Sequence, residues 1–263
     1  MKRIQLRLHG HCFLVIVSLL LTGCSPDPDR TPEAVQAEPI AVDVTTVATE
    51  NSEPADLETD ASVPDLNPPA SGVSISADAF RMAAEKGRVE KIQEAISAGV
   101  DVDGVDGSSQ FGALHLAAHE GHLPVVKLLL QNKATVDLLG QNDLTPLHLA
   151  AYNGHTDVVA LLIKSGAKVD PRDREGKTPL LHACTGPFEK SVKLLVESGA
   201  DINVKESTES FTPLMTAAGL GEIEVVKVLL RNDADKAAVD QDGDTALSHA
   251  QTSGHTDIIK LLE

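Results

Sequence analysis

Thr145-Pro146-Leu147-His148-Leu149-Ala150-Ala151-Tyr152-Asn153-Gly154-His155 is the stretch that decides the fold. Thr145 can cap a helix N-terminus, and Pro146 fits the first helical turn because its missing N–H costs nothing there. Leu147, Leu149, Ala150 and Ala151 set an apolar side, and the two alanines let a neighbouring helix approach closely. Gly154 ends the helix. A second helix begins near Thr156-Asp157, where a carboxylate suits the positive end of the dipole. Its core face reads Val158-Val159 with Leu161-Leu162-Ile163, and Gly166-Ala167 stops it. The stretch from Val169 to Gly176 carries turn formers and predicts a hairpin.

The pattern recurs. Aligned on Gly112-Ala113-Leu114-His115, Thr145-Pro146-Leu147-His148, Thr178-Pro179-Leu180-Leu181, Thr212-Pro213-Leu214-Met215 and Thr245-Ala246-Leu247-Ser248, the steps are 33, 33, 34 and 33 residues. A weaker copy starts at Asp78-Ala79-Phe80-Arg81, 34 residues before Gly112. Six units follow: 78–111, 112–144, 145–177, 178–211, 212–244 and 245–263. Gly87, Gly121, Gly221 and Gly254 stand where Gly154 does. A fixed period of this length signals a repeat architecture in which no unit buries its apolar side alone.

These motifs resemble the ankyrin repeat family. Thr145 to Ala151, Gly154-His155 and Leu161-Leu162 match its pattern nearly position for position. The resemblance covers residues 76–263. It implies an all-α repeat solenoid, a stack of helix-turn-helix units with short β-hairpin connections and a concave face. Departures occur. Leu181 replaces His115 or His148, with His182 displaced by one, and Pro187 replaces the helix-ending glycine. Lys133 and Asp233 replace the glycine seen at Gly99, Gly166 and Gly199, so Asn132 and Asn232 are expected to take the left-handed turn instead. Arg81, Glu85, Lys86 and Gln93 give the first unit a polar set suited to a terminal cap.

Reactive chemistry finds little support. The family uses residues at the positions of His115, His148, His155 and His255 for hydrogen bonds within and between repeats. His115 and His119 lie four apart with Glu120 and His122 nearby, a spacing that can share zinc. The zinc-protease motif, however, needs Glu directly after the first histidine, and Leu116 stands there. Asp240-Gln241-Asp242-Gly243-Asp244 begins like a calcium loop but carries Thr245 and Gln251 where Gly and Glu are required. Cys184 takes the place of the tightly packed Ala151 and reads as a buried thiol. No phosphate loop or nucleophile elbow appears. The expectation is a protein that is not an enzyme and needs no cofactor and no metal.

In stacks of this kind partners contact the hairpin tips and the ends of the first helices. By position the partner-binding candidates are Phe111, His119, Leu139, Asn142, Leu144, Tyr152, Asn153, Arg172, Arg174 and Phe211. Hot spots favour aromatic and Arg anchors, and Tyr152 is the only tyrosine of the chain. Leu139, Leu144 and Tyr152 are expected to converge as an apolar patch near one hairpin. Phe111 and Phe211 are equally compatible with packing under their own hairpins.

Working outward to the N-terminus, Met1-Lys2-Arg3 and Arg7 precede an apolar run from Phe13 to Leu21, then Thr22, Gly23 and Cys24. This describes a secretory signal over residues 1–23, whose apolar run is too short to span a bilayer. Leu21-Thr22-Gly23-Cys24 resembles the lipobox of bacterial lipoproteins, which implies acylation of Cys24 and a lipid membrane as a partner. Acyl burial contributes about 0.8 kcal/mol per CH₂, so two or more chains hold firmly. Ser25, rather than Asp, points to the outer membrane by the same resemblance. Residues 24–75 read as an acidic, Pro-rich disordered tether with eight prolines, eleven acidic residues and one basic residue after Cys24. It would span about 40 Å or more.

The composition agrees. Hydrophobic residues are 42% and aromatic residues 2%, so the core must be aliphatic and a base-stacking surface is excluded. A net charge of -17 disfavours nucleic acid and anionic lipid heads. With Cys12 and Cys24 accounted for, Cys184 has no partner for an internal disulfide. The reading is a monomeric, membrane-anchored, non-catalytic module of the bacterial envelope that binds a protein. Alternatives are an envelope metalloenzyme using His115, His119 and His122, and a secreted effector acting on host proteins.

Overall fold

The computed structural model describes residues 75–263. The signal segment, Cys24 and all but the last residue of the tether lie outside the described residues. Twelve helices follow in pairs: α1 Ala77–Glu85 and α2 Val89–Ser97, α3 Ala113–His119 and α4 Leu123–Gln131, α5 Pro146–Tyr152 and α6 Thr156–Lys164. Then come α7 Pro179–Ala183 and α8 Glu189–Glu197, α9 Pro213–Leu220 and α10 Ile223–Arg231, α11 Ala246–Ser253 and α12 Thr256–Leu262. First helices stack on first helices and second on second, which makes an all-helical repeat solenoid.

Each first helix starts where its capping chemistry sits. The hydroxyls of Thr145, Thr178, Thr212 and Thr245 accept the amides of His148, Leu181, Met215 and Ser248 at 3.3–3.5 Å. In the second to fifth units the core is a ladder of one leucine per layer per unit, with Phe80 and Ile92 in these places in the first unit. Leu114, Leu147, Leu180 and Leu214 come from first helices, and Leu129, Leu162, Leu195 and Leu229 from second helices. Alanine pairs such as Ala117-Ala118 and Ala150-Ala151 are fully buried between them. At the last unit Gln251 takes the exposed version of that small-residue position, so its outward face is polar.

Gly154 shows why the turn between helices needs glycine. Its φ is +69°, a left-handed conformation, and a Cβ there would overlap the Phe188 ring of the next unit. Gly154→Ala should therefore cost about 1–2 kcal/mol in backbone strain alone, with ring displacement added. Thermal unfolding measures the loss, and an unchanged midpoint would refute this account of the turn.

The second turn corrects one expectation. Lys133 and Asp233 themselves take φ of 66° and 61°, while Asn132 and Asn232 stay at -96° and -112°. The reason is geometric. The bonds from Ala134 N to Leu129 O and from Ala234 N to Leu229 O fix which residue must turn, whatever its side chain. The asparagines serve differently, their Nδ2 groups donating to the carbonyls of Leu128 and Val228 at 2.8 Å.

Each hairpin is closed by an amide–carbonyl bond, such as Asp173 N to Lys177 O at 3.0 Å and Asp240 N to Asp244 O at 3.0 Å. No ladder forms, so there is no strand among the described residues. The 34-residue spacings come from one extra residue in two hairpins. Gln110 and Ser210 sit there at φ 56° and 63°, and the closing bonds span five residues instead of four. Successive tips are joined in a line: Gln141 N to Ser109 O, Arg174 N to Asn142 O, Ser207 N to Glu175 O and Gln241 N to Glu209 O, at 2.8–3.0 Å.

Candidate interaction surface

The histidines at recurring positions are structural fasteners. His115 Nδ1 accepts the Gly112 amide at 3.2 Å, which leaves Nε2–H to donate to the Leu144 carbonyl at 3.1 Å. His148 repeats this with the Thr145 amide at 3.1 Å and the Lys177 carbonyl at 3.2 Å. Burial pushes their pKa values down to about 4 for His115 and about 3 for His148, the second also by facing His182. His122, His155 and His255 reach back across unit boundaries, donating from Nε2 to the carbonyls of Glu85, His119 and Gly219 at 2.8, 2.9 and 3.1 Å.

The zinc arrangement does not form. His115 has both ring nitrogens engaged, His119 Nδ1 meets Glu120 at 2.8 Å, and His122 is spent on Glu85. Among the described residues no three His, Cys, Asp or Glu side chains converge to hold a metal. The Asp240 loop is a turn: Oδ1 accepts the amides of Asp242 and Asp244 at 3.0 and 2.9 Å, and Oδ2 meets His249. Cys184 is fully buried, and burial pushes its thiol far above the ordinary range.

Two His–Asp pairs escaped the sequence reading. His182 Nε2 lies 2.9 Å from Asp173 Oδ2, and His249 Nε2 lies 2.8 Å from Asp240 Oδ2. In both cases histidine stands one position later than His115 and His148, nine residues after a hairpin aspartate. That shift was visible; its pairing needed the hairpin fold. Burial works to raise the pKa of both aspartates, but bonds from histidine and backbone amides hold them below the usual range. Glu206 is held low against burial by Thr208, Glu209 and Phe211. Asp106 is held low by the hydroxyls and amides of Ser108 and Ser109.

The partner candidates divide. Phe111 is buried at 5% exposure, its ring 5.2 Å from that of His115. Leu144 is buried at 7%, drawn in where its carbonyl meets His115. Both leave the expected contact surface. Phe211 is half-buried, edge-on to His249 at 5.0 Å. Asn153 is half-buried and donates to the His119 carbonyl at 2.9 Å, so these two residues mainly hold the stack. Asn142 is half-buried in the left-handed region at φ 59°, and its carbonyl serves the tip line.

Leu139 is 56% exposed. With Leu144 buried, the expected three-residue apolar patch is not assembled at the surface. Arg172 is exposed with Nη1 3.1 Å from the Lys205 carbonyl, and Arg174 is exposed with Nε 3.6 Å from Asp143. Tyr152 stands half-exposed at the end of α5, edge-on to His182 at 6.0 Å. Two exposed apolar side chains share the first-helix layer with it: Met82 on α1, which the sequence reading passed over, and Leu220 at the end of α9. Met82 stands in register with Leu116 and Leu149, the one signal that could have found it.

Comparison with known proteins agrees with this geometry. A stretch of 49 residues is 49% identical to ankyrin repeat family A protein 2 of Mus musculus, covering 19% of this chain and 16% of that one. Another of 48 residues is 48% identical to an ankyrin repeat protein of Rickettsia felis, covering 18% of this chain and 76% of that one. This chain thus spans about a sixth of the mouse relative and about three quarters of the rickettsial one. Ankyrin repeats imply a protein–protein interaction module, and the family is typically non-catalytic. The sequence profile for ankyrin repeats in three copies matches residues 114–206 and 199–263, and that for many copies matches residues 80–130. The matches run unbroken from residue 80 onward, and the chain belongs to the ankyrin repeat family.

Proposed function

We propose that this protein is a non-catalytic capture module, anchored by lipid at Cys24 in a bacterial envelope, that binds a protein partner along its hairpin tips and first helices. One observation supports the non-catalytic part: the rings of His115, His122, His148, His155 and His255 are spent on backbone carbonyls, and those of His182 and His249 on hairpin aspartates. Tyr152, Arg174, Met82 and Leu220 remain on the surface as anchors for a partner. Tyr152→Asp should abolish capture of the partner from envelope extract while the circular dichroism of the domain stays unchanged. Undiminished capture would overturn the assignment of the face.

The anchor rests on Leu21-Thr22-Gly23-Cys24 and the basic, apolar leader before it, and Ser25 favours an outer-membrane position facing the periplasm. Growth with a radioactive fatty acid should label the protein, and Cys24→Ala should remove the label and release the chain from membranes. Label retained on the variant would refute the anchor. Release of the unaltered protein into the medium would favour a secreted effector.

A further inference from the structure

Each junction between units has two edges, and they are fastened differently. Along the hairpin edge the lacing is continuous. At the junction of the fourth and fifth units it includes Gln241 N to Glu209 O at 3.0 Å, Asp235 N to Asn203 Oδ1 at 2.9 Å and Lys205 Nζ to Val239 O at 2.7 Å. Along the turn edge, where first helix meets second, the fastener is the ring-to-carbonyl bond of His122, His155 or His255. Phe188 replaces histidine at the junction of the third and fourth units. There its ring fills the space over Gly154, and Thr156 Oγ1 meets Ser191 Oγ at 2.8 Å.

At the next junction the equivalent residue is Glu222, whose side chain bonds nothing among the described residues. The inner fastener is missing as well, because Leu181 stands where His115 and His148 reach forward to a hairpin carbonyl. The first helices also part here. The helix α7 is only five residues long, cut short ahead of Gly186-Pro187, and it touches α9 far less than other neighbouring first helices touch each other. The second helices α8 and α10 stay packed through buried Leu195 and Leu229. In a stack held by nearest-neighbour contacts, the junction with the fewest contacts is where the stack flexes.

We propose that the stack hinges between its fourth and fifth units, opening on the turn edge while the hairpin edge stays laced. The motion changes the bend of the surface between Tyr152 and Leu220. The hinge itself does not depend on the interaction reading; only its use in fitting a partner does, and partner capture is measured separately from the motion.

Spin labels on the full chain, in a Cys12→Ala, Cys24→Ala background with Cys184 buried, test the hinge through exposed sites. One pair, Glu189→Cys with Ser253→Cys, spans the fourth-to-fifth junction. A second pair, Glu120→Cys with Glu189→Cys, spans the same number of units on the other side. The distance distribution of the first pair should be at least about twice as wide as that of the second, reporting two populated states. Glu222→His places a ring at the separation of 36 residues used by His155 and His255, within reach of the Gly186 carbonyl. It should narrow the first distribution and leave the second unchanged, whereas Glu222→Gln should do neither. Equal widths for the two pairs in the unaltered protein would overturn the hinge, and that comparison stands even if Glu222→His does not fold. Narrowing by Glu222→Gln as much as by Glu222→His would overturn the role of the missing ring.

Discussion

Acidification from pH 7 to pH 4 is expected to destabilise the repeat domain through His115 and His148, with His115 alone contributing about 3 kcal/mol at roughly 1.36 kcal/mol per unit of pKa difference. Both rings are buried and neutral, with folded pKa values of about 4 and about 3 against an ordinary value of 6.5. Above pH 6.5 neither the folded nor the unfolded chain binds these protons, so there is no penalty. Below it the unfolded chain takes them up and the folded chain does not, so stability falls until the folded pKa is reached. Asp173, Glu206 and Asp240 extend the loss to lower pH, because carboxylates held below their usual range stabilise the fold only while they are ionised. Relief of the chain's excess negative charge works the other way. The histidine contribution is therefore best read as a difference in slope between two proteins. Met215 shows which variant to use: it occupies the equivalent site, and its Sδ lies 3.5 Å from the Thr212 amide. His148→Met should cost about 1 kcal/mol at pH 7 for the lost bond to Lys177, and it should flatten the fall in urea-measured stability between pH 6.5 and 4. An identical slope in both proteins would defeat the account.

Leu180→Ala should lower stability by about 2–5 kcal/mol, since it removes a fully buried side chain from a packed ladder. The position matters beyond its size. Leu180 lies on α7, the shortest first helix, next to the junction that lacks histidine fasteners. Each unit borrows stability from its neighbours, so the loss should fall on the weakest boundary. Denaturant unfolding should split into two transitions, with α9 to α12 lost before α1 to α6. Leu139→Ala is the control, because at 56% exposure it should change stability by less than about 0.5 kcal/mol. A single cooperative transition for Leu180→Ala, with its midpoint unshifted, would refute both the magnitude and the boundary.

Features set by near neighbours in the chain were legible in the sequence. The Thr-Pro caps, the glycine turn at Gly154 and the leucine ladder depend on residues within one unit, and the period then multiplied them. Features that require a fold between distant residues were not. Leu144 reads as an exposed loop leucine until the His115 ring draws its carbonyl inward. Asp173 and His182 read as an ordinary turn residue and a displaced histidine until the hairpin brings them to 2.9 Å. Asn132 was expected to turn on side-chain preference, yet the bond geometry of the helix end gave that conformation to Lys133. Of the partner candidates, Tyr152 and Arg174 keep the exposure their positions suggested, while the burial of Phe111 and Leu144 was a matter of packing.

Gln110 and Ser210 show how the chain absorbs an added residue: it takes the left-handed conformation in the hairpin, and the closing bond still forms around it. Insertions at these loops can therefore accumulate over generations without re-tuning the scaffold. A lineage carrying this architecture could change what it grips by altering loop length alone, leaving the leucine spine untouched.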